Sequence, residues 1–218
     1  YAGVASASFF FSMLAGLMGK GEKEKKDLYI EGIQNNGIIN HYEYIINSEG
    51  TIEIRHVLKP EGKMPLWFPR IGLTLTVSDA LDQVKWYGRG PQENYPDRKT
   101  GYPTGIYAST VQAMYEPYLM PQDYGLRTDV RWLQLTTDKG IGLQFKMNEW
   151  FNFNIYPYST DNLTKAMYTY QLQKQKGMTL NLDYATTGVG CTARGVFGAY
   201  KAMPQEYRRT ISIRPMMK

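Results

Sequence analysis

The residues best suited to chemistry lie together in one stretch, Trp86–Lys99. Amide, carboxylate and guanidinium groups are crowded there beside aromatic rings. The polar side chains are those of Gln92, Glu93, Asn94, Asp97 and Arg98, and the rings are those of Trp86, Tyr87 and Tyr95. Sugar hydroxyls bind amides and carboxylates through paired hydrogen bonds, and the apolar faces of a pyranose pack on flat aromatic surfaces. The stretch is therefore typical of a sugar-contacting loop.

Glycines and prolines shape the backbone of this stretch. Gly88 and Gly90 permit positive φ angles at two nearby points. Pro91 and Pro96 fix φ and push the residues before them out of the helical region. We therefore expect a bent, partly pre-set loop. The alternative is an ordinary structural turn, in which the acidic and basic side chains satisfy one another and the local backbone.

Paired carboxylates are the usual catalysts of glycoside hydrolysis, so Glu93 and Asp97 need separate consideration. One of the two must have a raised pKa to act as an acid, which requires burial. Arg89 and Arg98 share the loop and are expected to hold both carboxyl groups ionised. The sequence therefore assigns no catalytic residue to this chain.

Metal-binding and redox residues are scarce. His41 and His56 each fall in an alternating, strand-like stretch, and no second His, Cys or paired carboxylate stands at ligand spacing. No metal site is predicted. Cys191 is the one cysteine, so an intrachain disulfide is excluded, and we interpret it as a small apolar filler beside a glycine-rich turn. The cysteine content does not distinguish between the cytoplasm and the periplasm of a bacterium as the compartment of this protein.

Charge and length narrow the class of protein. The 218 residues suffice for one sizeable core, and all-β domains of this size are often undivided. The excess of 25 basic over 20 acidic residues gives only +5, and the basic run 20–26 is interleaved with Glu22 and Glu24. We therefore predict one domain and no nucleic-acid partner. The eighteen tyrosines suit a β-rich domain that contacts amphipathic partners.

Apolar and polar residues alternate with a period of two along most of the chain, which predicts an all-β, antiparallel sandwich with few short helices. We expect Trp67 and Phe68 to anchor the loop 60–69, residues 102–107 to form a turn, and residues 160–166 to form a short helix. Strands are predicted at 28–33, 38–47, 51–59, 71–77, 82–87, 108–115, 127–137, 140–147, 151–156, 178–184 and 207–215.

The N-terminal segment, residues 1–27, matches neither a signal peptide nor a membrane helix. Residues 1–19 are apolar and rich in small residues, but the charges follow the apolar run rather than precede it, unlike in a signal peptide. A membrane helix requires a longer, less interrupted stretch. Because the sequence begins without methionine, we regard it as a piece of something longer. We expect this segment to pack on the sandwich as a strand pair or short helix, and predict no membrane association.

Four islands of sequence carry a resemblance to a known family. The first, Gly90–Arg98, resembles a signature of the glycoside hydrolase family two β-galactosidases, in their C-terminal β-sandwich or small-chain domain. The others follow in the same order as in that domain: Tyr115–Arg127 with Arg131, Phe153–Ile155 with Tyr158, Ser159 and Leu163, and Leu180–Tyr184 leading to Gly188–Gly190. The resemblance covers residues 28–214 and is strongest over 84–132.

The resemblance implies a galactose mutarotase-like supersandwich over residues 28–218, forming the non-catalytic part of a β-galactosidase. In that family the catalytic glutamates lie in a separate barrel domain, which this chain lacks. The implied partners are a galactoside and the catalytic barrel of the same or a partner chain. No cofactor is implied in this chain, although the parent enzymes often use Mg or Na in other domains. The implied substrate-binding residues, in a loop that borders the active site, are Gly90, Gln92, Glu93, Asn94, Tyr95, Asp97 and Arg98.

The chain departs from the family pattern at two positions. Gly195 stands where the family has a tryptophan that offers a stacking surface to the sugar, and Tyr168 stands where a histidine is common. Phe197 or Tyr200 could take the aromatic role. The alternative function is a stand-alone or degenerate sugar-binding module. A mutarotase-type enzyme requires a catalytic histidine beside a carboxylate in a groove, which the strand-borne His41 and His56 disfavour.

Overall fold

A computed structural model describes residues 37–191 and 195–217 of the chain. The expectations for residues 1–27 and for a strand at 28–33 lie outside the described residues. Nine strands, one α-helix and two short 3-10 helices make up the described part, which confirms the all-β prediction. The strands are β1 (Gly37–Ile46), β2 (Ile52–Glu61), β3 (Arg70–Val77), β4 (Gln83–Arg89), β5 (Thr104–Thr110), β6 (Arg127–Thr136), β7 (Gly142–Tyr156), β8 (Met178–Thr186) and β9 (Tyr207–Met216).

The described strands pair antiparallel in the order β1-β2-β9-β7-β6-β4-β5, and β8 and β3 branch from β7. The long strand β7 makes this branch possible. Its first half, Gly142–Met147, pairs with β9, whereas Asn152–Tyr156 pairs with β8. Residues 151–156 are therefore the second half of β7 and not the separate strand that the pattern predicted. Both arms of the sheet bury their apolar faces in one core, so the molecule is an antiparallel β-sandwich.

The core is built from the inward positions that the period of two predicts. Trp86 of β4, Leu133 of β6, Leu180 of β8 and Ile211 of β9 are all fully buried in one cluster. Burying a large apolar side chain stabilises a fold by about 1.5–3 kcal/mol. The indole N–H of Trp86 donates to the carbonyl of Arg89 at 3.0 Å. Because Arg89 is the last residue of β4, this bond ties the start of the following loop to the core.

Two hairpins and the short helix form where the sequence predicts them. β1 and β2 pair in full register around a turn in which Asn47 Oδ1 accepts from the backbone N–H groups of Glu49 and Thr51. β6 and β7 meet at a second turn that contains Gly140 with φ of 77°. The helix α1 (Thr160–Lys165) is capped by Ser159, whose hydroxyl accepts from the N–H of Asn162 at 3.0 Å.

The segment between 102 and 115 is arranged differently from the prediction. Residues 104–110 form β5, and residues 111–114 form a turn, so the predicted turn at 102–107 and strand at 108–115 are wrong. Among the described strands, β5 lies at the edge of the sheet and pairs only with β4, and half-burial at such an edge leaves a weak alternation in the sequence. Among the two expected loop anchors, Phe68 is buried, whereas Trp67 is 38% exposed with Lys201 beside its ring.

A register irregularity in β6 explains why simple alternation of apolar and polar residues does not show which face of this strand is buried. The pairing with β7 shifts between Arg127, Val130 and Trp132, and Asp129 takes a positive φ of 54°. Because the shift changes the phase of the strand, Val130 and Leu133 both face the core although they are three residues apart. Asp129 thereby points its carboxylate toward the loop that follows β4.

Candidate functional site

The candidate site is the loop at residues 90–99, which we call the signature loop. It leaves β4 through a cis peptide bond between Gly90 and Pro91. Neither Gly88 nor Gly90 has a positive φ, so that expectation is wrong. Both glycines serve close packing instead. A Cβ atom on Gly88 would lie 2.8 Å from Val130 Cγ2, and one on Gly90 would lie 2.8 Å from the Tyr107 ring.

Glu93 ties the signature loop to a second part of the chain, residues 115–127, which we call the Tyr115 segment. Its carboxylate accepts from the Gly125 N–H at 2.7 Å and from the Tyr95 hydroxyl at 3.2 Å. The hydroxyl of Tyr118 also donates to it. Burial first, and then the Glu93 hydrogen bond, raise the pKa of Tyr118 above its usual value. Glu93 therefore accepts three hydrogen bonds, and the two from Tyr118 and Gly125 fix the Tyr115 segment against the loop.

Asn94 is fully buried beneath the loop. Its Oδ1 accepts from the backbone N–H of Thr128 at 3.0 Å and from the Thr128 hydroxyl at 2.5 Å. Its Nδ2 donates to the Gln92 carbonyl at 3.1 Å, and its backbone N–H donates to the Leu126 carbonyl at 2.8 Å. Every polar group of the side chain is thus used within the fold. Asn94 positions the loop and has no exposed surface with which to contact a sugar.

Asp97 and Arg98 join the loop to a third part of the chain, residues 188–190, which we call the Gly188 turn. Asp97 accepts from the N–H groups of Val189 at 3.1 Å and of Gly190 at 2.7 Å. Arg98 donates to the Gly190 carbonyl at 2.9 Å. A Cβ atom on Gly188 would lie 2.5 and 2.6 Å from the two Asp97 carboxylate oxygens. Only glycine leaves room for this contact.

Arg89 does not pair with the loop carboxylates, so that part of the sequence interpretation is wrong. Its Nε donates to Asp129 Oδ2 at 2.6 Å, and Lys99 Nζ lies 2.5 Å from Asp129 Oδ1. Burial opposes ionisation of Asp129, but the hydrogen bonds from Lys99 and Arg89 outweigh it and hold the pKa below its usual value. The positive φ of Asp129 places the carboxylate for both contacts, which brace the two ends of the loop.

The seven predicted site residues therefore divide by burial. Gly90, Asn94 and Tyr95 are buried, Glu93 and Asp97 are half-buried, and Gln92 and Arg98 are exposed. The structure brings all seven into one loop, but it offers only four of them to an incoming molecule. The exposed groups are an amide and a guanidinium, both hydrogen-bond donors, flanked by two partly accessible carboxylates.

Arg127 is a residue beneath the loop whose importance the sequence did not signal by itself. Its guanidinium is buried, donates to the Gly125 carbonyl at 2.9 Å and lies 5.4 Å from the centre of the Trp86 ring. Burial lowers the pKa of Arg127 to about 10, although Glu116 and Glu93 oppose this. Arg127 closes the Tyr115 segment at the point where it enters β6. In the sequence, Arg127 is marked only as the last residue of the island Tyr115–Arg127 that resembles the family.

A pocket of about 250 Å³ opens beside the Tyr115 segment. Behind it, Asn154 donates to Asp123 at 2.9 Å and accepts from Asn181 at 2.8 Å. Arg70 donates to the buried Asp183 at 2.7 Å, and burial raises the pKa of Asp183 to about 6 against the opposing effect of Arg70. This network was not predicted. The pocket is lined by Pro121, Gln122, Asp123, Tyr156, Thr160, Leu163 and Thr164.

The positions that depart from the family pattern are open to solvent. A Cβ atom on Gly195 would meet nothing within 4 Å, and Phe197 and Tyr200 are exposed nearby in the chain. The backbone N–H of Gly188 donates to the Tyr200 carbonyl at 2.8 Å, so Tyr200 is tied to the Gly188 turn. Tyr168 is exposed and stacks on Tyr170 with ring centres 5.5 Å apart.

His56 lies in the core, away from the signature loop. Its ring bonds to the Tyr184 hydroxyl at 2.7 Å and to Asn40 Oδ1 at 3.0 Å, and it stacks on Tyr42 at 4.1 Å. Burial lowers the pKa of His56 to about 4. None of these partners is a carboxylate, which is the group that a mutarotase-type site requires beside its histidine. His41 is exposed on the edge strand β1.

Two wider features concern residues 37–191 and 195–217 only. Within those residues, no group of three or more His, Cys, Asp or Glu side chains is arranged to hold a metal ion. The helices found there are also too short and too polar for a membrane crossing.

The fold and the loop cluster define a class: an antiparallel β-sandwich domain whose signature loop, Tyr115 segment and Gly188 turn are hydrogen-bonded together. The family model described as Beta galactosidase small chain matches residues 19–213. The chain therefore belongs to the β-galactosidase small-chain family.

Individual relatives agree with this assignment. A β-galactosidase of Priestia megaterium is 38% identical over 147 residues, which cover 67% of this chain and 14% of that protein. A β-galactosidase of Vibrio cholerae is 39% identical over 122 residues, or 56% of this chain and 11% of that protein. A β-galactosidase of Pseudoalteromonas haloplanktis is 33% identical over 159 residues, which cover 71% of this chain and 14% of that protein. The chain thus spans about one seventh of the length of these curated relatives.

Proposed function

We propose that this chain is the C-terminal, non-catalytic domain of a β-galactosidase that hydrolyses terminal non-reducing β-D-galactosides. The signature loop lies at the edge of the active site, and the acid and the nucleophile come from a catalytic barrel domain of the same or a partner chain. The chain supplies positioning and binding groups to a composite site and performs no bond cleavage itself.

One observation carries this proposal: three separated stretches of sequence converge on one end of the sandwich. Glu93 joins the signature loop to the Tyr115 segment, and Asp97 joins it to the Gly188 turn. All three stretches belong to the islands in which the chain resembles the small-chain domain. Hydrogen bonds to charged acceptors stabilise by about 1.5–3 kcal/mol each, so the cluster is held in one arrangement before any ligand arrives. Pre-ordered polar groups suit recognition of a ligand with many hydroxyls.

The roles within the loop follow from burial. Gln92 and Arg98 are exposed and contact the sugar or the neighbouring domain, with Glu93 and Asp97 available at their edges. Gly90, Asn94 and Tyr95 are positioning residues because their side chains and backbone are buried. The carboxylates of Glu93 and Asp97 accept hydrogen bonds from groups within the domain, which suits binding and support better than proton transfer.

The chain lacks the family's tryptophan at position 195, so another ring must supply the aromatic surface for the sugar. Gly195 offers no ring, whereas the exposed ring of Phe197 follows two residues later. The carbonyl of Tyr200 accepts a hydrogen bond from the backbone N–H of Gly188, which holds Tyr200 against the Gly188 turn. We assign the stacking role to one of these two rings. Stacking of this kind contributes about 0.5–1.5 kcal/mol beyond the area that it buries.

Isothermal titration separates a composite site from a self-sufficient sugar-binding module. The isolated chain is expected to give no measurable heat with galactose or lactose, because it holds only one wall of the pocket. The intact natural protein is expected to hydrolyse a nitrophenyl β-D-galactoside and to bind galactose. Binding of galactose by the isolated chain would favour the stand-alone module, and an intact protein inactive on β-galactosides would refute the proposal.

A further inference from the structure

A second surface lies on the outer face of the strands β5, β4, β6, β7 and β9. Residues paired across neighbouring strands place their side chains on the same face of a sheet. We call this surface the basic face. It comprises two rows, Ala108–Lys85–Gln134–Gln144–Arg214 and Ile106–Tyr87–Trp132–Lys146–Ser212.

The charge of the basic face is one-sided. Neither row contains an acidic residue across five strands. Lys85, Lys146 and Arg214 are all exposed, and none of them forms an ion pair with another residue in the part of the chain that the structure describes. The first carboxylate reached along the second row is Glu53 on β2, which is already bonded to Arg55 at 2.8 Å. Within the described residues, three cations of one face are therefore left without a carboxylate partner.

Aromatic rings accompany these cations. Arg131 borders the second row, with its guanidinium carbon 4.8 Å from the centre of the Tyr87 ring and 4.2 Å from that of Trp150. Its NH1 donates to the Asp129 carbonyl at 2.8 Å, which orders the side chain further. Trp150 is 60% exposed and Ile106 is 61% exposed. An ordered guanidinium thus contacts two rings, and one hydrogen bond from it is found within residues 37–191 and 195–217.

We propose that the basic face binds an acidic polysaccharide, one whose sugars carry uronate carboxylates or sulfate esters. The stacked Arg131 presents a planar fork that matches a carboxylate or sulfate, and little conformational freedom is left to lose on binding. Lys85, Lys146 and Arg214 supply further charges. Three strand spacings separate Lys85 from Arg214, or about 14 Å, which spans several sugars of a chain lying across the sheet.

The other side chains of the face suit sugars rather than charge alone. The exposed ring of Trp150 offers a flat apolar surface to a pyranose. Gln134 and Gln144 stand side by side between the cations and present amides to hydroxyl groups. A protein partner is disfavoured because lysine is depleted at the centres of protein interfaces, whereas two lysines lie in the middle of this face. No residue of the signature loop belongs to the face, so this proposal does not depend on the proposed function.

Affinity electrophoresis of the full natural protein in gels containing polygalacturonate tests the proposal, with a neutral β-1,4-galactan as the uncharged comparison. Retardation is expected with polygalacturonate only, and it should weaken as salt is added because exposed charges are screened. The double variant Lys85→Glu/Lys146→Glu is expected to bind about tenfold or more weakly. Trp150→Ala is expected to reduce affinity while leaving the salt dependence unchanged.

The matched control is Lys174→Glu/Lys176→Glu, which makes the same change of charge at two exposed lysines before β8. It should bind polygalacturonate like the unmodified protein, and thermal unfolding should show that all variants are folded. Equal loss in the control variant, or equal retardation by the neutral galactan, would overturn the proposal. So would a change of oligomeric state in the Lys85/Lys146 variant, which indicates a protein-covered face, or displacement of the polysaccharide by single-stranded DNA at matched charge.

Discussion

The side chains of the signature loop fall into two groups with opposite burial. Glu93, Asn94 and Asp97 turn toward the domain and bond to groups far away in sequence, whereas Gln92 and Arg98 face outward. Residue types alone predicted a polar, sugar-suited loop here, and the family resemblance located it. They could not distinguish the residues that hold the loop from those that face outward, because that division depends on partners 25 to 93 residues away along the chain.

The buried His56 gives the domain a dependence on pH. Its pKa in the fold is about 4, below the usual value of 6.5, so the unfolded chain binds the proton more readily. Its contribution is fully present above pH 6.5 and is lost as the pH falls toward 4. We predict that stability decreases by up to about 3 kcal/mol over this window. Denaturant unfolding of the chain at a series of pH values measures this loss.

The matched control for this prediction is His41, which is exposed on β1. Asp183 acts in the opposite sense between pH 4 and 6 because burial raises its pKa, so the variants must be compared with one another. His56→Gln should flatten the decrease in stability toward acid, whereas His41→Gln should preserve it. Identical pH profiles for the two variants would contradict the role assigned to His56.

At the scale of elements, three connections between strands meet and hold one another. The Gly188 turn approaches Asp97 so closely that a methyl group cannot fit between them. Gly188→Ala is therefore expected to displace the Asp97 carboxylate from the N–H groups of Val189 and Gly190. The cost should be about 1–3 kcal/mol, because two backbone N–H groups, one exposed and one half-buried, lose a charged acceptor. Denaturant unfolding of the chain measures it.

Gly101 provides the matched comparison for this substitution, since a Cβ atom there would meet nothing within 4 Å. Gly101→Ala should change the free energy of unfolding by no more than about 0.5 kcal/mol. If the two alanine variants were equally stable, the contact between the Gly188 turn and the signature loop would not hold the cluster together.

The elements themselves were largely readable from the sequence. The alternation over residues 38–47 and 51–59 predicted β1 and β2 almost to their ends, and the strands predicted at 127–137 and 140–147 correspond to β6 and the first half of β7. β5 was misplaced because an edge strand with one neighbour shows weak alternation. The division of β7 between two partners was hidden for another reason: pairing is set by tertiary packing, which a local pattern does not contain.

At the scale of the whole molecule, the chain corresponds to a small part of its longer curated relatives. It spans about one seventh of the curated relatives, and the described part offers paired carboxylates that are committed to hydrogen bonds within the domain. Under the proposed function, this loop cluster is one wall of a site whose catalytic groups lie in another domain. The basic face adds a second surface, to which β4 contributes Lys85 and Tyr87.

The most direct measurement is the steady-state kinetics of Gln92→Ala in the intact natural protein, with Gln112→Ala as the control at an exposed glutamine in the turn after β5. Loss of one hydrogen bond to substrate or transition state should lower kcat/KM for β-galactosides by about tenfold, while thermal unfolding stays unchanged. Gln112→Ala should match the unmodified enzyme. Unchanged kcat/KM and KM in Gln92→Ala, together with the same result for Arg98→Ala, would contradict a site-facing signature loop.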